Sequence, residues 1–241
     1  METKSAGAKK RRLLMLAIIQ ARMSSRRMPG KIMKSLCGKP MLQWTIERVL
    51  AAHEVDDLII ATSSEASDTI VEEFCNQIGV KCFRGSLHNV ASRFETIVKE
   101  LKVDVFVRVS GDSPIIDPGL IDHAVTLFDP SLCDLSTNVM IRTFPKGQSV
   151  EVLKAKKFFE VCEKMRNYED LEHVTLPYYR EPERFQIVNF TSGCNLGSVQ
   201  LSVDVEEDFD LVEKIIIAAD RQIIGWEEAV QLRLDLVKRN A

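Results

Sequence analysis

Apolar residues run almost unbroken over residues 13–20 and are flanked by polar segments, the pattern of a strand buried on both faces. After a polar loop, Leu42, Ile46, Val49 and Leu50 recur at helical spacing and give one apolar face. Residues 58–62 read as a second strand. Ile70, Val71, Phe74, Cys75 and Ile78 then mark a helix that Gly79 ends. A short third strand (80–83), a helix (90–101) and a fourth strand (103–109) follow. Asp117 and Pro118 have the form of an N-cap and first helical residue, opening a helix that turns Ile121, Ala124, Val125 and Phe128 inward. Strands alternating with helices predict an α/β chain with a mostly parallel sheet and helices on both faces. Such sheets bind ligands beyond the carboxyl ends of their strands, so the loops after Gln20, Thr62, Phe83 and Val109 are where chemistry is expected.

Beyond Pro130 the rhythm changes. Residues 135–140 and 149–153 read as strands, 155–180 as mostly helical, and 185–190 and 199–203 as extended. Helices at about 206–221 and 226–239 close the chain. With no internal repeat or low-complexity linker, residues 13–241 are expected to form one domain with an arm inserted at about 136–190. Residues 1–12, with Lys9, Lys10, Arg11 and Arg12 in a row, are expected to be a disordered basic tail rather than a secretory leader.

Composition narrows the classes. A 241-residue chain with 45% hydrophobic and 28% charged residues fits a soluble globular protein. Its formal net charge of −3 argues against nucleic acid as a partner, because phosphate-backbone binding needs a positive surface. No stretch approaches the roughly 18 apolar residues that span a bilayer, so no membrane role is expected. Six cysteines lie far apart without a C-x-x-C pair, which suits a reducing cytoplasm and offers no zinc site. The four histidines are scattered and read as structural or surface residues.

Against that acidic background the loop after the first strand stands out. Between Gln20 and Pro40 there are six basic residues, Arg22, Arg26, Arg27, Lys31, Lys34 and Lys39, and no acidic one. Ser24, Ser25 and Gly30 are small enough to let backbone N–H groups approach an anion. Guanidinium forks, a lysine point charge and fixed dipoles are what a triphosphate needs. A solvated basic loop is the plain alternative. Neither G-x-x-x-x-G-K-[ST] nor G-x-G-x-x-G occurs, which disfavours kinase-type NTPases and dehydrogenases.

The run Ile19-Gln20-Ala21-Arg22-Met23-Ser24-Ser25-Arg26-Arg27-Met28-Pro29-Gly30-Lys31, with Gly38-Lys39-Pro40-Met41 behind it, resembles the signature loop of the cytidylyltransferases that activate 3-deoxy-manno-octulosonate and acylneuraminate, and most of all the spore-coat polysaccharide branch. The resemblance extends over about residues 16–212. It implies a Rossmann-like fold of the nucleotide-diphospho-sugar transferase type and transfer of CMP from CTP to an acidic, sugar-like acceptor. Arg22 and Lys31 would hold the triphosphate and carry catalysis. Ala21, Ser24, Arg26 and Gly30 would shape the loop, and Ser63 and Arg84 would flank the cytidine. The chain departs from the family's usual residues around Asn89 and at Ser149.

Nucleotidyl transfer calls for a hard cation, and magnesium takes one or two carboxylates while keeping waters. Asp112, in Ser110-Gly111-Asp112-Ser113-Pro114 after the fourth strand, resembles the family's metal motif, although a turn aspartate has the same form. Asp204 resembles the family's second metal ligand, and with Glu207 it also has the form of a capping box. Asp208 is assigned to the helix dipole and Asp117 to capping. The stretch from Ser136 to Glu151 resembles the acceptor-binding region, with Asn138, Arg142, Lys146, Gln148 and Glu151 as its polar groups. The segment around Glu172, His173, Tyr178, Tyr179 and Arg180 resembles an arm that packs across a two-fold axis, which implies a homodimer with His173 and Arg180 near the partner's site. Two other readings stand beside this one: a glycosyltransferase using a nucleotide sugar, for which Asp208-Phe209-Asp210 has metal-site spacing, and a nucleotide-binding regulator without catalysis.

Overall fold

The computed structural model describes residues 14–239; the basic tail expected at 1–12 and Leu13 at the head of the first strand lie outside the described residues. The first half alternates as its pattern predicts: β1 (Leu16–Gln20), α1 (Met41–Leu50), β4 (Asp57–Ser63), α2 (Thr69–Gln77), β5 (Lys81–Gly85), α3 (Val90–Leu101), β6 (Val105–Ser110) and α4 (Pro118–Thr126). A two-residue ladder, β2 (Ser35–Leu36) with β3 (Lys39–Pro40), ends the basic loop. The second half contributes β7 (Leu135–Thr137), β8 (Glu151–Lys154), α5 (Ala155–Cys162), α6 (Tyr168–Glu172), α7 (Leu176–Arg180), β9 (Ile187–Asn189), α8 (Glu206–Ala219) and α9 (Trp226–Arg239).

Seven strands form one sheet in the order β5-β4-β1-β6-β8-β7-β9. β5, β4, β1 and β6 are parallel, β8 runs antiparallel between β6 and β7, and β9 is parallel to β7. β1 lies inside the sheet between β4 and β6, and its alternate side chains feed two cores. Ala17 and Ile19 join the larger one with α1, α2, α4, α8 and α9, whereas Leu16 and Ile18 pack with Phe94, Phe106 and Phe158 under α3, α5 and α7. Both faces of β1 are therefore dry, which is why its sequence shows no alternation.

Several expected elements take a different form. Of the segment 136–190 read as an inserted arm, β8 and β9 and most of β7 belong to the main sheet, and α5, α6 and α7 pack on its α3 side. The stretch 155–180, expected to be mostly helical, is three helices, because Asn167 caps α6 afresh and Pro177 sits in the first turn of α7. Residues 199–203 form no strand; one isolated bridge, Lys146 with Gln200, ties them to the 143–148 turn. Asp117 does cap α4 through Gly119, at 2.8 Å, and its second oxygen also takes the N–H of Trp226 at the head of α9.

A buried cation closes the C-terminal end of this layer. Arg48 on α1 is 1% exposed and donates to the carbonyls of Ile116, Gln222 and Ile224, at 3.4, 2.8 and 3.2 Å. Burial pushes its pKa down to about 10, but it stays charged at neutral pH. Arg48→Met strands those carbonyls, and charged hydrogen bonds of this kind contribute about 1.5–3 kcal/mol each, so a loss of about 3 kcal/mol is expected. Urea unfolding should show a lower midpoint with an unchanged slope, and α9 should exchange its amide hydrogens first.

Candidate active site

The loop after β1 is built to hold a fixed shape. The Met23 carbonyl accepts from Ser25 and Gly30 at 2.9 and 2.8 Å, and Gly30 adopts φ +76°, which a glycine reaches without strain. Fully buried Asp68 takes the Met23 N–H at 2.7 Å and the Ser63 N–H at 3.0 Å, so the ends of β1 and β4 are fastened through one carboxylate. Gly111 serves the other neighbour. Its N–H donates to Gln20 at 2.8 Å, and a Cβ there would sit 2.9 Å from that carbonyl oxygen, so only glycine lets β6 end this close to β1.

These constraints deliver Lys31 to the two candidate metal carboxylates. Its ammonium is 3.0 Å from Asp112 Oδ2 and 3.5 Å from Asp204 Oδ1, and it donates to the Val203 carbonyl at 2.6 Å. The Lys31 side chain is 8% exposed, whereas each carboxylate is 27% exposed. Val203 N–H in turn donates to the Asp112 carbonyl at 2.9 Å, so the residue-204 segment is strapped against the turn after β6. Gly147 seats that segment from behind. It has φ +91°, and a Cβ would fall 2.6 Å from Ser202 N. Arg27 also reaches Asp204, at 2.7 Å.

Two open clefts meet at this cluster. The first, about 430 Å³, is lined on the basic side by Arg22, Arg26, Arg27, Lys31 and Arg93, with Ala21 on its wall. The second, about 520 Å³, is lined by Arg108, Arg142, Lys146, Ser149, Glu151 and Tyr179. Ser110, Asp112, His173 and Asp204 line both. A substrate in either cleft therefore faces the same two carboxylates.

The expected residues divide accordingly. Ala21, Arg22, Arg26 and Lys31 come together in the first cleft, and Arg142, Lys146 and Glu151 in the second. Ser24 is exposed and lines neither, and Gly30 acts through the backbone of the loop. Ser63 is fully buried and donates its hydroxyl to Asp68, while Arg84 pairs with Glu72 at 2.9 Å and with the Ser63 and Glu65 carbonyls; neither lines a cleft. Asn138 and Gln148 are buried frame residues. Asn138 spans the Gln148 carbonyl and the Val150 N–H, and Gln148 spans the Ile115 carbonyl and the Asp117 N–H. His173 faces both clefts of its own chain, and Arg180 pairs with Glu169 and, at 2.5 Å, with Asp170.

The cap of α8 differs from expectation. Asp208, rather than Asp204, does the capping: its carboxylate takes the N–H groups of Asp204 and Val205 at 2.9 and 3.1 Å, and Val205 is the N-cap residue. Asp204 is thereby left to face the cluster. The Asp208-Phe209-Asp210 alternative loses its first ligand to the same bonds.

Two cleft residues, Arg93 and Arg108, were not singled out in the sequence, and Tyr179 was named only as part of the two-fold arm. Arg93 is 1% exposed on α3, with donors on the Ala61 and Leu87 carbonyls, at 3.1 and 3.5 Å. Its signal was an arginine in register with the apolar positions Val90, Phe94 and Ile97. Arg108 and Tyr179 form the floor of the second cleft. Both donate to Glu151, and Arg108 also reaches Gln20 Oε1, at 2.9 and 3.1 Å. Both oxygens of 2%-exposed Glu151 are thus committed inside the protein. Burial and the Glu151 charge hold the Tyr179 phenol well above its ordinary pKa, so it remains a proton donor.

An α/β sheet with a cationic loop at the end of its first strand and paired carboxylates beyond its fourth defines a nucleotidyltransferase-type site. The chain belongs to the cytidylyltransferase family, whose profile matches residues 16–237. It is 31% identical over 227 residues to the spore coat polysaccharide biosynthesis protein SpsF of Bacillus subtilis, covering 90% of this chain and 92% of that one. It is 34% identical over 169 residues to a 3-deoxy-manno-octulosonate cytidylyltransferase of Pelobacter propionicus, covering 68% of this chain and 63% of that one. Among solved structures, a cytidylyltransferase from Leptospira borgpetersenii superimposes with a TM-score of 0.87 at 26% identity, covering 95% of each chain. The protein is a cytidylyltransferase enzyme with the fold its sequence predicts.

Lys31 is the bond between loop and carboxylates. Lys31→Ala should lower turnover by about 10²–10³-fold, the scale of losing one preorganised charge at a reacting phosphate. Pyrophosphate release measures it, with circular dichroism showing a retained fold; near-normal release would remove Lys31 from the chemistry.

Proposed function

We propose that this protein transfers CMP from CTP to an acidic, sugar-like acceptor with release of pyrophosphate, supplying an activated precursor for surface polysaccharide or glycan synthesis in the cytoplasm. The observation that carries this reading is the pair of clefts meeting at Asp112 and Asp204. The cleft lined by Arg22, Arg26, Lys31 and Arg93 suits a polyphosphate, and the other offers Arg142 and Lys146 to an anionic acceptor. Neither Arg142 nor Lys146 has an acidic partner among the described residues. The names of the relatives, a spore-coat polysaccharide protein and an octulosonate cytidylyltransferase, point to the same acceptor class.

The residues fit a magnesium ion. Among the described residues no group of three or more His, Cys, Asp or Glu side chains is placed to enclose a metal. Two half-open carboxylates sharing a lysine are, however, what a hard cation needs when phosphate oxygens and water complete its shell. Mg²⁺ held by Asp112 and Asp204 would neutralise phosphate charge and orient the reactants. The protein's own groups do the rest. Lys31 and Arg22 stabilise the charge that grows on the α-phosphoryl oxygens and the leaving pyrophosphate as the acceptor oxygen bonds to the α-phosphorus. Arg142 and Lys146 hold the acceptor so that this oxygen lies in line, and no covalent enzyme intermediate is needed. Ala21 lines the nucleotide side, with Ser24 and Gly30 shaping its loop; Ser63 and Arg84 keep the β4 and β5 ends in place. Asn138 and Gln148 brace the acceptor loop, and Glu151 orients Arg108 and Tyr179 beneath it.

We also propose a homodimer, on the resemblance of the segment around Glu172, His173, Tyr178, Tyr179 and Arg180 to an arm that packs across a two-fold axis. Light scattering measures the mass.

Asp112→Asn keeps the volume and removes the charge. It should lower CTP-dependent pyrophosphate release by about 10³-fold and leave no magnesium dependence to titrate. An unchanged magnesium requirement would reject the assignment, and CTP binding without turnover on any acid-sugar acceptor would favour a regulator.

A further inference from the structure

The phosphate cleft contains an anion that belongs to the protein itself. Glu172, the last residue of α6, reaches the loop after β1 and accepts two hydrogen bonds from the Arg22 guanidinium, one of them at 3.2 Å. This is the fork a guanidinium offers a phosphate. The pair is half-sheltered, at 29% exposure for Arg22 and 14% for Glu172, so it is not a loose surface contact. Arg93 lies alongside. It shares the Leu87 carbonyl with Arg22, and its Nε, buried with the rest of a 1%-exposed side chain, has no partner. Two guanidiniums thus flank one carboxylate, leaving an excess positive charge in the cleft wall. The two feel each other: burial first, then Arg22, holds the Arg93 pKa down to about 10, and Glu172 opposes both.

The segment that carries Glu172 is held mainly by charge, since Arg180 on α7 pairs with Glu169 and Asp170 of α6. α6 is five residues long and buries none of them. Two residues beyond Glu172, Val174 has φ +31°, a left-handed backbone that a β-branched side chain adopts only under strain. A short helix held by ion pairs and ending at a strained joint is the kind of element that moves as a unit.

We propose that Glu172 sets the nucleotide affinity of this enzyme by competing with the phosphates for Arg22, and that α6 is a strap released when a polyphosphate takes its place. The inference rests on the nucleotidyl-transfer reading of the cleft. Exchanging one charged fork for another preserves the Arg22 bonds, but part of the ligand's binding energy is spent parting Glu172 from Arg22. Affinity is lowered and α6 mobility is coupled to occupancy.

The test compares the wild-type chain with Glu172→Gln, using inorganic tripolyphosphate and CTP as probes, each with magnesium, by titration calorimetry. Freeing Arg22 should tighten the Kd of both probes by about fivefold or more. Turnover should show a lower KM for the nucleotide with kcat little changed. An unchanged or weaker tripolyphosphate Kd overturns the inference, since Glu172 would then support Arg22 or leave it unaffected. A second readout uses the wild-type chain alone: amides of residues 168–172 should exchange hydrogen faster once tripolyphosphate is bound, and unchanged or slower exchange overturns the strap. Tripolyphosphate carries no base, so tighter binding of it by Glu172→Gln without any CTP binding supports the competition while rejecting the cytidylyl reading.

Discussion

The Lys31 ammonium is the contact on which the reactive half of the molecule closes. It joins the basic loop, the turn after β6 and the segment before α8, which are separated by 81 and 173 positions along the chain. Burying a lysine is unfavourable unless charges and lone pairs repay its lost hydration. Asp112, Asp204 and the Val203 carbonyl supply that compensation together. The carboxylates gain as well, because two anions placed this close without a cation would repel. Lys31 therefore fixes the geometry of the cluster before any substrate arrives, and the cost of organising it falls on folding rather than on the reaction step.

That closure depends on backbone approaches that few residues permit. Gly111 lets the end of β6 lie against Gln20, and Gly147 lets the 143–148 turn lie against Leu201 and Ser202. A side chain at either place would push one carboxylate's segment away from Lys31. Asp68 does comparable work with charge, holding Met23 and Ser63 by their N–H groups. The cleft stays open because its walls are held from beneath.

The sequence made the first half of the fold legible because each of its elements buries a face of regular period. β1 shows an unbroken apolar run, α2 shows helical spacing ended by Gly79, and α4 follows the Asp117-Pro118 start signal. The second half was less legible. Strands such as β7 and β9 are three residues long, too short for a period to register, and residues 199–203 are held by single contacts instead of a ladder. At the candidate site, the basic loop could be read because its charge stood out against an acidic chain and Asp112 because a strand end gave it a place, whereas Asp204 came from the family resemblance. Asn138 and Gln148 were misleading in their polarity, since their amides are consumed by buried backbone groups that spacing does not reveal. Arg93 had the opposite fault: it hid in the apolar register of α3. Glu172 was legible only as part of the arm segment, because spacing does not reveal a guanidinium partner 150 positions away.

The division into two clefts follows from the sheet itself. β6 is the last strand of the parallel set, and β8 turns the sheet antiparallel beside it, so the chain ends beyond β6 are free to diverge. On one side the β1 loop supplies cations; on the other the Arg108, Glu151 and Tyr179 floor spends its charges internally, and Arg142 and Lys146 line the cleft without an acidic partner among the described residues. Gln20 binds the two sides together, since its carbonyl holds Gly111 and its side chain holds Arg108. The two walls thus share a hydrogen-bonded anchor at the end of β1 in addition to the residues that line both clefts. An enzyme that must align two anionic substrates across one pair of carboxylates gains from this arrangement, because neither substrate can be seated with the shared centre out of register.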